Sequence, residues 1–165
     1  MSPSAPTLHL MCGKIAAGKS TLAARLGREQ NAIVIAEDDW LNALFSDQMA
    51  SVADYVRVSE KLRAALAPHV VSVLNAGVSV VLDFPANTIE TRGWMREILK
   101  QTSTSHKMHV LEVSDEVCLA RLHARNSKGD HPFAATEAQF RQVSKHYVPP
   151  GEDEGFVLTV HHDTA

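Results

Sequence analysis

Two glycines, a lysine and a hydroxyl stand at the spacing G-x-x-x-x-G-K-[ST] in Gly13-Lys14-Ile15-Ala16-Ala17-Gly18-Lys19-Ser20, with Thr21 directly after. Residues of these types at this spacing bind anions. The glycines let successive backbone N–H groups turn inward to form a nest. A helix starting near Lys19 adds the positive end of its dipole at the same point. The ammonium of Lys19 can then reach the β- and γ-oxygens of a nucleoside triphosphate, and the hydroxyl of Ser20 can coordinate Mg²⁺. Gly13, Lys14, Ala16, Ala17, Gly18, Lys19, Ser20 and Thr21 are the expected nucleotide contacts.

Other residues carry the charges such a site needs. Asp83 closes the apolar run Val78-Ser79-Val80-Val81-Leu82. A carboxylate there can hold a magnesium-bound water beside Ser20, or cap the following turn. Asp38 and Asp39 follow a second apolar run. One of them can accept the proton of a hydroxyl that attacks the γ-phosphate, while the other N-caps the next helix; Asp38 is the expected base. Arg121 and Arg125 lie four apart on one helix face, where planar cations can stack on a base or fork onto phosphate oxygens. A solvated basic stripe at a helix C-terminus is the competing reading. The nine histidines fall in no metal-ligand frame and read as mostly surface residues. Cys12 and Cys118 sit in apolar patterns and read as buried free thiols.

The elements that must position these groups alternate along the chain. Residues 7–12 form a short apolar run that ends at Gly13, and a helix pattern with Leu22, Ala23 and Leu26 on one face follows. Ala32–Ala36 is a second strand. A long helical stretch over about 51–76 contains Pro68, which predicts a kink or two helices end to end, and Gly77 is its left-handed cap. Val78–Asp83 is the clearest strand. Asn87-x-x-Glu90 reads as a capping box that opens a helix to about Lys100. His109–Val113 is a fourth strand, and Ser114-Asp115-Glu116 starts a helix. Thr136-x-x-Gln139 is a second capping box, and Phe156–His161 is a last strand. Five short strands, each almost continuously apolar and separated by helices, describe a parallel sheet covered on both faces. Its ligand lies at the carboxyl ends of the strands.

With 165 residues, the chain fits a single domain over 8–165 behind a disordered tail, 1–7, and a polar lid loop at about 126–135. Sixteen Lys and Arg against nineteen Asp and Glu leave a net charge of −3. That balance argues against a nucleic-acid partner. No apolar run reaches membrane-spanning length, and Met1–Thr7 has no basic region followed by an apolar stretch. A cytoplasmic protein, monomer or homodimer, is expected.

Together, Gly13–Thr21, Glu37-Asp38-Asp39-Trp40, Asp83 and Arg121-x-x-x-Arg125 resemble the small P-loop kinase-like ATP-binding proteins. These are AAA-domain relatives of the zeta-toxin, chloramphenicol phosphotransferase and polynucleotide kinase groups. The resemblance runs from about residue 8 to residue 161. It implies a three-layer α/β P-loop NTPase fold, a five-stranded parallel sheet in the order 2-3-1-4-5, a short lid, and ATP with Mg²⁺ as ligands. Asp115–Arg125 is also similar to the lid entrance of adenylate kinases, which implies that Arg121 packs on adenine and Arg125 contacts the phosphates. Where the polynucleotide kinase group carries an arginine after Asp-Asp-aromatic, this chain has Leu41. The expected function is transfer of the γ-phosphate of Mg-ATP to a hydroxyl of a small molecule, with Lys19, Asp38 and Arg125 as catalytic residues. An ATP-driven regulatory switch without an acceptor is the alternative, and a nucleic-acid 5'-hydroxyl kinase ranks below both.

Overall fold

A computed structural model describes residues 5–129 and 135–162. Five parallel strands form one sheet: β1 (Thr7–Cys12), β2 (Ile33–Ala36), β3 (Val80–Pro85), β4 (Ser105–Glu112) and β5 (Leu158–His162). Their order is β2-β3-β1-β4-β5, as the resemblance implies. The helices are α1 (Lys19–Glu29), α2 (Glu37–Phe45), α3 (Val52–Asn75), α4 (Ile89–Lys100), α5 (Asp115–Lys128) and α6 (Glu137–Ser144). Among the described residues, no helix is long and apolar enough to cross a membrane.

Alternation along β1 assigns the two faces. Leu8, Leu10 and Cys12 point to the side covered by α3 and α4, where Val58, Leu62, Leu66, Val70, Met95 and Ile98 complete the larger core. Met11 points the other way, toward Leu22, Ala23 and Leu26 of α1, Cys118 and Leu122 of α5, and Phe140 of α6. Each large apolar side chain buried here contributes roughly 1.5–3 kcal/mol. Both cysteines are buried and free, and burial pushes both thiols up.

Several boundaries differ from the sequence reading. Thr7, assigned to the tail, opens β1 and donates its N–H to Ser79 Oγ at 2.9 Å. Residues 1–4 lie outside the described residues. Pro68 neither splits nor stops α3, which is a single helix of 24 residues. Proline removes the N–H that would reach residue 64, and both Ala64 and Pro68 lie on the exposed side, where water can bond the freed carbonyl. Strand β4 starts four residues early at Ser105, because Thr7 and Leu8 pair with Ser105 and His106. In α2 the N-cap is Ala36, so Glu37, Asp38 and Asp39 all sit in the first turn and neither aspartate caps. The second capping box is present at Thr136 and Gln139. Of the expected lid, 126–128 finish α5 and Gly129 is its left-handed cap; 130–134 lie outside the described residues.

Six of the eight histidines among the described residues reach the surface wholly or in part, as expected, but two do not. His9 and His109 are buried. Three rings form a ladder across β1, β4 and β5: His9 Nδ1 lies 3.1 Å from His109 Nε2, and His109 Nδ1 lies 3.0 Å from His161 Nε2. The rings also stack, with centroids 5.3 and 5.2 Å apart.

Candidate functional site

A cleft of about 950 Å³ opens at the carboxyl ends of the strands. Its floor is the loop between β1 and α1. Gly13 has neither room nor spare hydrogen bonds: an added Cβ would sit 3.2 Å from Leu111 Cβ and 3.3 Å from Ala17 Cβ. Gly18 takes φ +104° at the start of α1, in the left-handed region that L side chains rarely adopt. Ala16 has φ +63°, a conformation uncommon outside glycine. The bend turns the 14–18 segment around one point, where α1 begins.

Lys19 folds back over this loop and donates to the carbonyls of Gly13 at 2.5 Å and Lys14 at 2.8 Å. Burial lowers its pKa, while Asp83 and Asp38 act in the opposite direction. Ser20 Oγ donates to Asp83 Oδ2 at 2.7 Å, across 63 positions of sequence. The two oxygens of this pair are hard donors of the kind Mg²⁺ takes. Few protein ligands suffice there, because Mg²⁺ keeps waters and phosphate oxygens. No group of three or more His, Cys, Asp or Glu suited to a metal occurs among the described residues. The Ser20–Asp83 pair would fit Mg²⁺ held partly by a ligand's oxygens. Lys14 is tied to Asp115 at 2.5 Å, and its ammonium lies 5.7 Å above the Tyr147 ring.

The second strand delivers Asp38 to the same cleft, half-buried, whereas Asp39 is exposed and does not line it. Arg121 donates to the Ala17 carbonyl at 3.3 Å, so it touches the loop itself. Arg125 lines the cleft half-buried, and its Nε is enclosed without a hydrogen-bond partner among the described residues. Burial lowers its pKa, against the pull of the Asp38 carboxylate. Thr21 lines the cleft as well. Ala16, Ala17, Gly18, Lys19, Ser20, Thr21, Asp38, Asp83, Arg121 and Arg125 thus meet around this cleft, whereas Gly13, Lys14 and Asp39, also singled out from sequence, do not line it.

Two features were not anticipated. Asn87, read as a helix cap, instead grips the loop: its Oδ1 accepts from Gly13 N at 2.9 Å and its Nδ2 donates to Gly13 O at 2.8 Å. The cap of α4 is Thr88, which accepts from Thr91 N. Asn87-Thr88 offers two adjacent cap-forming residues, and nothing in their spacing says which one turns back toward Gly13. The second feature is Glu37, only 2% exposed. Tyr55 donates to its Oε1, and Ser59 donates to its Oε2 at 2.8 Å. Burial lifts this carboxyl to about 7 despite both hydrogen bonds. The signal available in sequence is the run of three acids, 37–39, whose first member is the buried one.

Residues 8–150 match a family model described as an AAA domain. Solved structures with the same fold include a candidate kinase from Chloroflexus aurantiacus J-10-fl. It is 20% identical with a TM-score of 0.76, covering 96% of this chain and 85% of that one. Chaetomium thermophilum Kti12, solved with ADP-AlF3, is 18% identical with a TM-score of 0.69, covering 94% and 88%. The APS kinase CysC of Mycobacterium tuberculosis, in complex with AMPPNP and APS, is 20% identical with a TM-score of 0.65, covering 96% and 90%. At these identities the likeness is one of fold. No curated relative matches the sequence.

Proposed function

The chain belongs to the AAA-domain family, and from that premise we propose that it is a phosphotransferase moving the γ-phosphoryl group of ATP to a hydroxyl of a small molecule. The observation that carries this reading is the meeting of Lys19, the Ser20–Asp83 pair, Asp38 and Arg125 in one cleft. Lys19 exchanges the two loop carbonyls it now holds for phosphate oxygens. The loop amides and the start of α1 bind the same anion. Ser20 and Asp83 would hold Mg²⁺, which when bound offsets charge on the phosphate oxygens. Arg121, beside the loop, contacts the nucleotide.

Asp38 takes the proton of the attacking hydroxyl. The acceptor oxygen bonds to the γ-phosphorus, the bond to the β-phosphate oxygen breaks, and ADP leaves. Arg125, with an enclosed Nε that lacks a partner, supplies a donor where charge shifts during transfer. A buried donor left unpaired costs about 1–3 kcal/mol, so an arriving anion recovers that energy.

The test is incubation of the protein with a metabolite extract and γ-labelled ATP, followed by mass spectrometry. Label in a small organic product is the expected result, and Asp38→Asn should slow its formation about 100-fold with ATP affinity nearly unchanged. Steady release of inorganic phosphate with no labelled product would leave a nucleotide-hydrolysing switch in place of the kinase.

A further inference from the structure

The loop on central β1 divides the cleft in two. Toward β4 and β5 lie Leu111, Arg121 and His161; toward β2 and β3 lie Asp38, Met49, Val52, Tyr55 and Pro85. The two sides differ in chemistry. Every lysine and arginine among the described residues that lines the cleft belongs to the loop, α1 or α5. The cations of the β2-side segment face elsewhere. Arg57 donates to the Gln48 carbonyl and pairs with Asp54, and Arg63 donates to Ser59 behind Glu37.

We propose that the β2 side of the cleft takes an uncharged alcohol with an apolar body, its hydroxyl presented to Asp38 and its body against Met49, Val52, Tyr55 and Pro85. This rests on the phosphotransferase reading. Met49 and Tyr55 pack onto the main core, so this wall is held from behind. The cations nearest Asp38 are Lys19 and Arg125, which the nucleotide's phosphates occupy in this reading, so an acceptor carrying a carboxylate, sulfate or phosphate would enter a partly dry pocket without a cation of its own, a costly arrangement. An amine would compete with the hydroxyl for Asp38, the base, because Glu37 already accepts from Tyr55 and Ser59 on both oxygens and burial favours its neutral form. The apolar surface is what remains for recognition, and its burial scales with area.

Three alcohols that share a phenyl ring but differ in charge test this: 3-phenylpropan-1-ol, the amino alcohol phenylalaninol and the carboxylate tropate. Each is incubated with the full chain and Mg-ATP, with ADP release measured and phosphomonoesters read by phosphorus NMR. The uncharged alcohol should be phosphorylated with kcat/KM about tenfold or more above either charged one. Met49→Lys, which places a cation on this wall, should erase that preference. Preferred phosphorylation of tropate or phenylalaninol would overturn the assignment of the pocket and leave phosphotransfer standing. ADP release without any phosphomonoester from the three would likewise overturn the assignment of the pocket, while phosphotransfer is judged by the labelled-ATP extract.

Discussion

His109 and Glu37 titrate against each other, and a pair of variants separates them. His109 is buried in the ring ladder with its pKa lowered to about 4, first by burial and then by the charges of His9, His161, Lys107 and Arg25. An unfolded histidine titrates near 6.5, so between about pH 6.5 and 4 the unfolded chain binds the extra proton and the native state does not. Its contribution is complete above pH 6.5 and is lost as pH falls toward 4. With 1.36 kcal/mol per unit, the loss is about 3 kcal/mol. Glu37 runs the other way. Raised from 4.5 to about 7, it holds its proton in the native state, so its contribution is present at low pH and is lost as pH rises through 7. The size is again about 3 kcal/mol. Over about pH 4.5 to 6.5 the two slopes cancel, and wild-type stability is expected to be nearly flat there. His109→Gln keeps a donor and an acceptor for the neighbouring rings but cannot titrate. Its stability relative to wild type should therefore rise by about 3 kcal/mol from pH 8 to pH 4. Glu37→Gln should show the reverse trend and expose the acid loss. Urea unfolding at a series of pH values, with unchanged m, measures both. Curves for His109→Gln that run parallel to wild type across this range would refute a neutral buried ladder.

Lys19→Ala should abolish measurable ATP binding by calorimetry while circular dichroism stays native, since among the described residues the ammonium bonds only to loop carbonyls. Arg121→Ala should weaken ATP binding and relax discrimination among ATP, GTP and CTP; Arg125→Ala should lower kcat more than affinity, with little recovery in Arg125→Lys, because a point charge cannot reproduce a planar fork. Nucleotide titrations and single-turnover rates separate the two. Asn87→Ala removes two of the hydrogen bonds of Gly13, leaving the one from Lys19, and should cost about 2–3 kcal/mol in urea unfolding together with a raised KM for ATP; a loss of stability at unchanged KM would show that the loop holds its shape unaided.

What sequence revealed follows from how local each signal was. The phosphate loop is nine consecutive residues between a strand and a helix, so its pattern and context could be read together. The Ser20–Asp83 contact was legible because both residues end or follow strands that are neighbours in the sheet. The histidine ladder was not. His9, His109 and His161 occupy strand positions that any apolar residue could fill, and they meet only through the β1-β4-β5 order and its stagger. Glu37 was hidden for a related reason. Tyr55 and Ser59 reach it only because α3 returns past the start of α2, so a carboxylate at a strand end became an interior one. Boundaries drifted wherever pairing overrode composition, as at Ser105.

The two-pronged hold of Asn87 on Gly13 has a consequence for how fast and how selectively an anion can arrive. A flexible loop pays for its ordering at the moment of capture, about 1–2 kcal/mol per residue fixed. Here the first residue is locked from both sides, and Asn87 is itself fixed by its carbonyl, which accepts from Val148 N at 2.8 Å. That entropy is surrendered during folding, so capture draws less from the encounter energy. The arrangement also divides labour among the amides. Gly13 N–H already has a partner, and the cradle must be made by those further along, where the backbone turns into α1. A ligand therefore meets rigid donors at the helix start and not at the strand end, which favours groups whose negative charge is concentrated at a terminus.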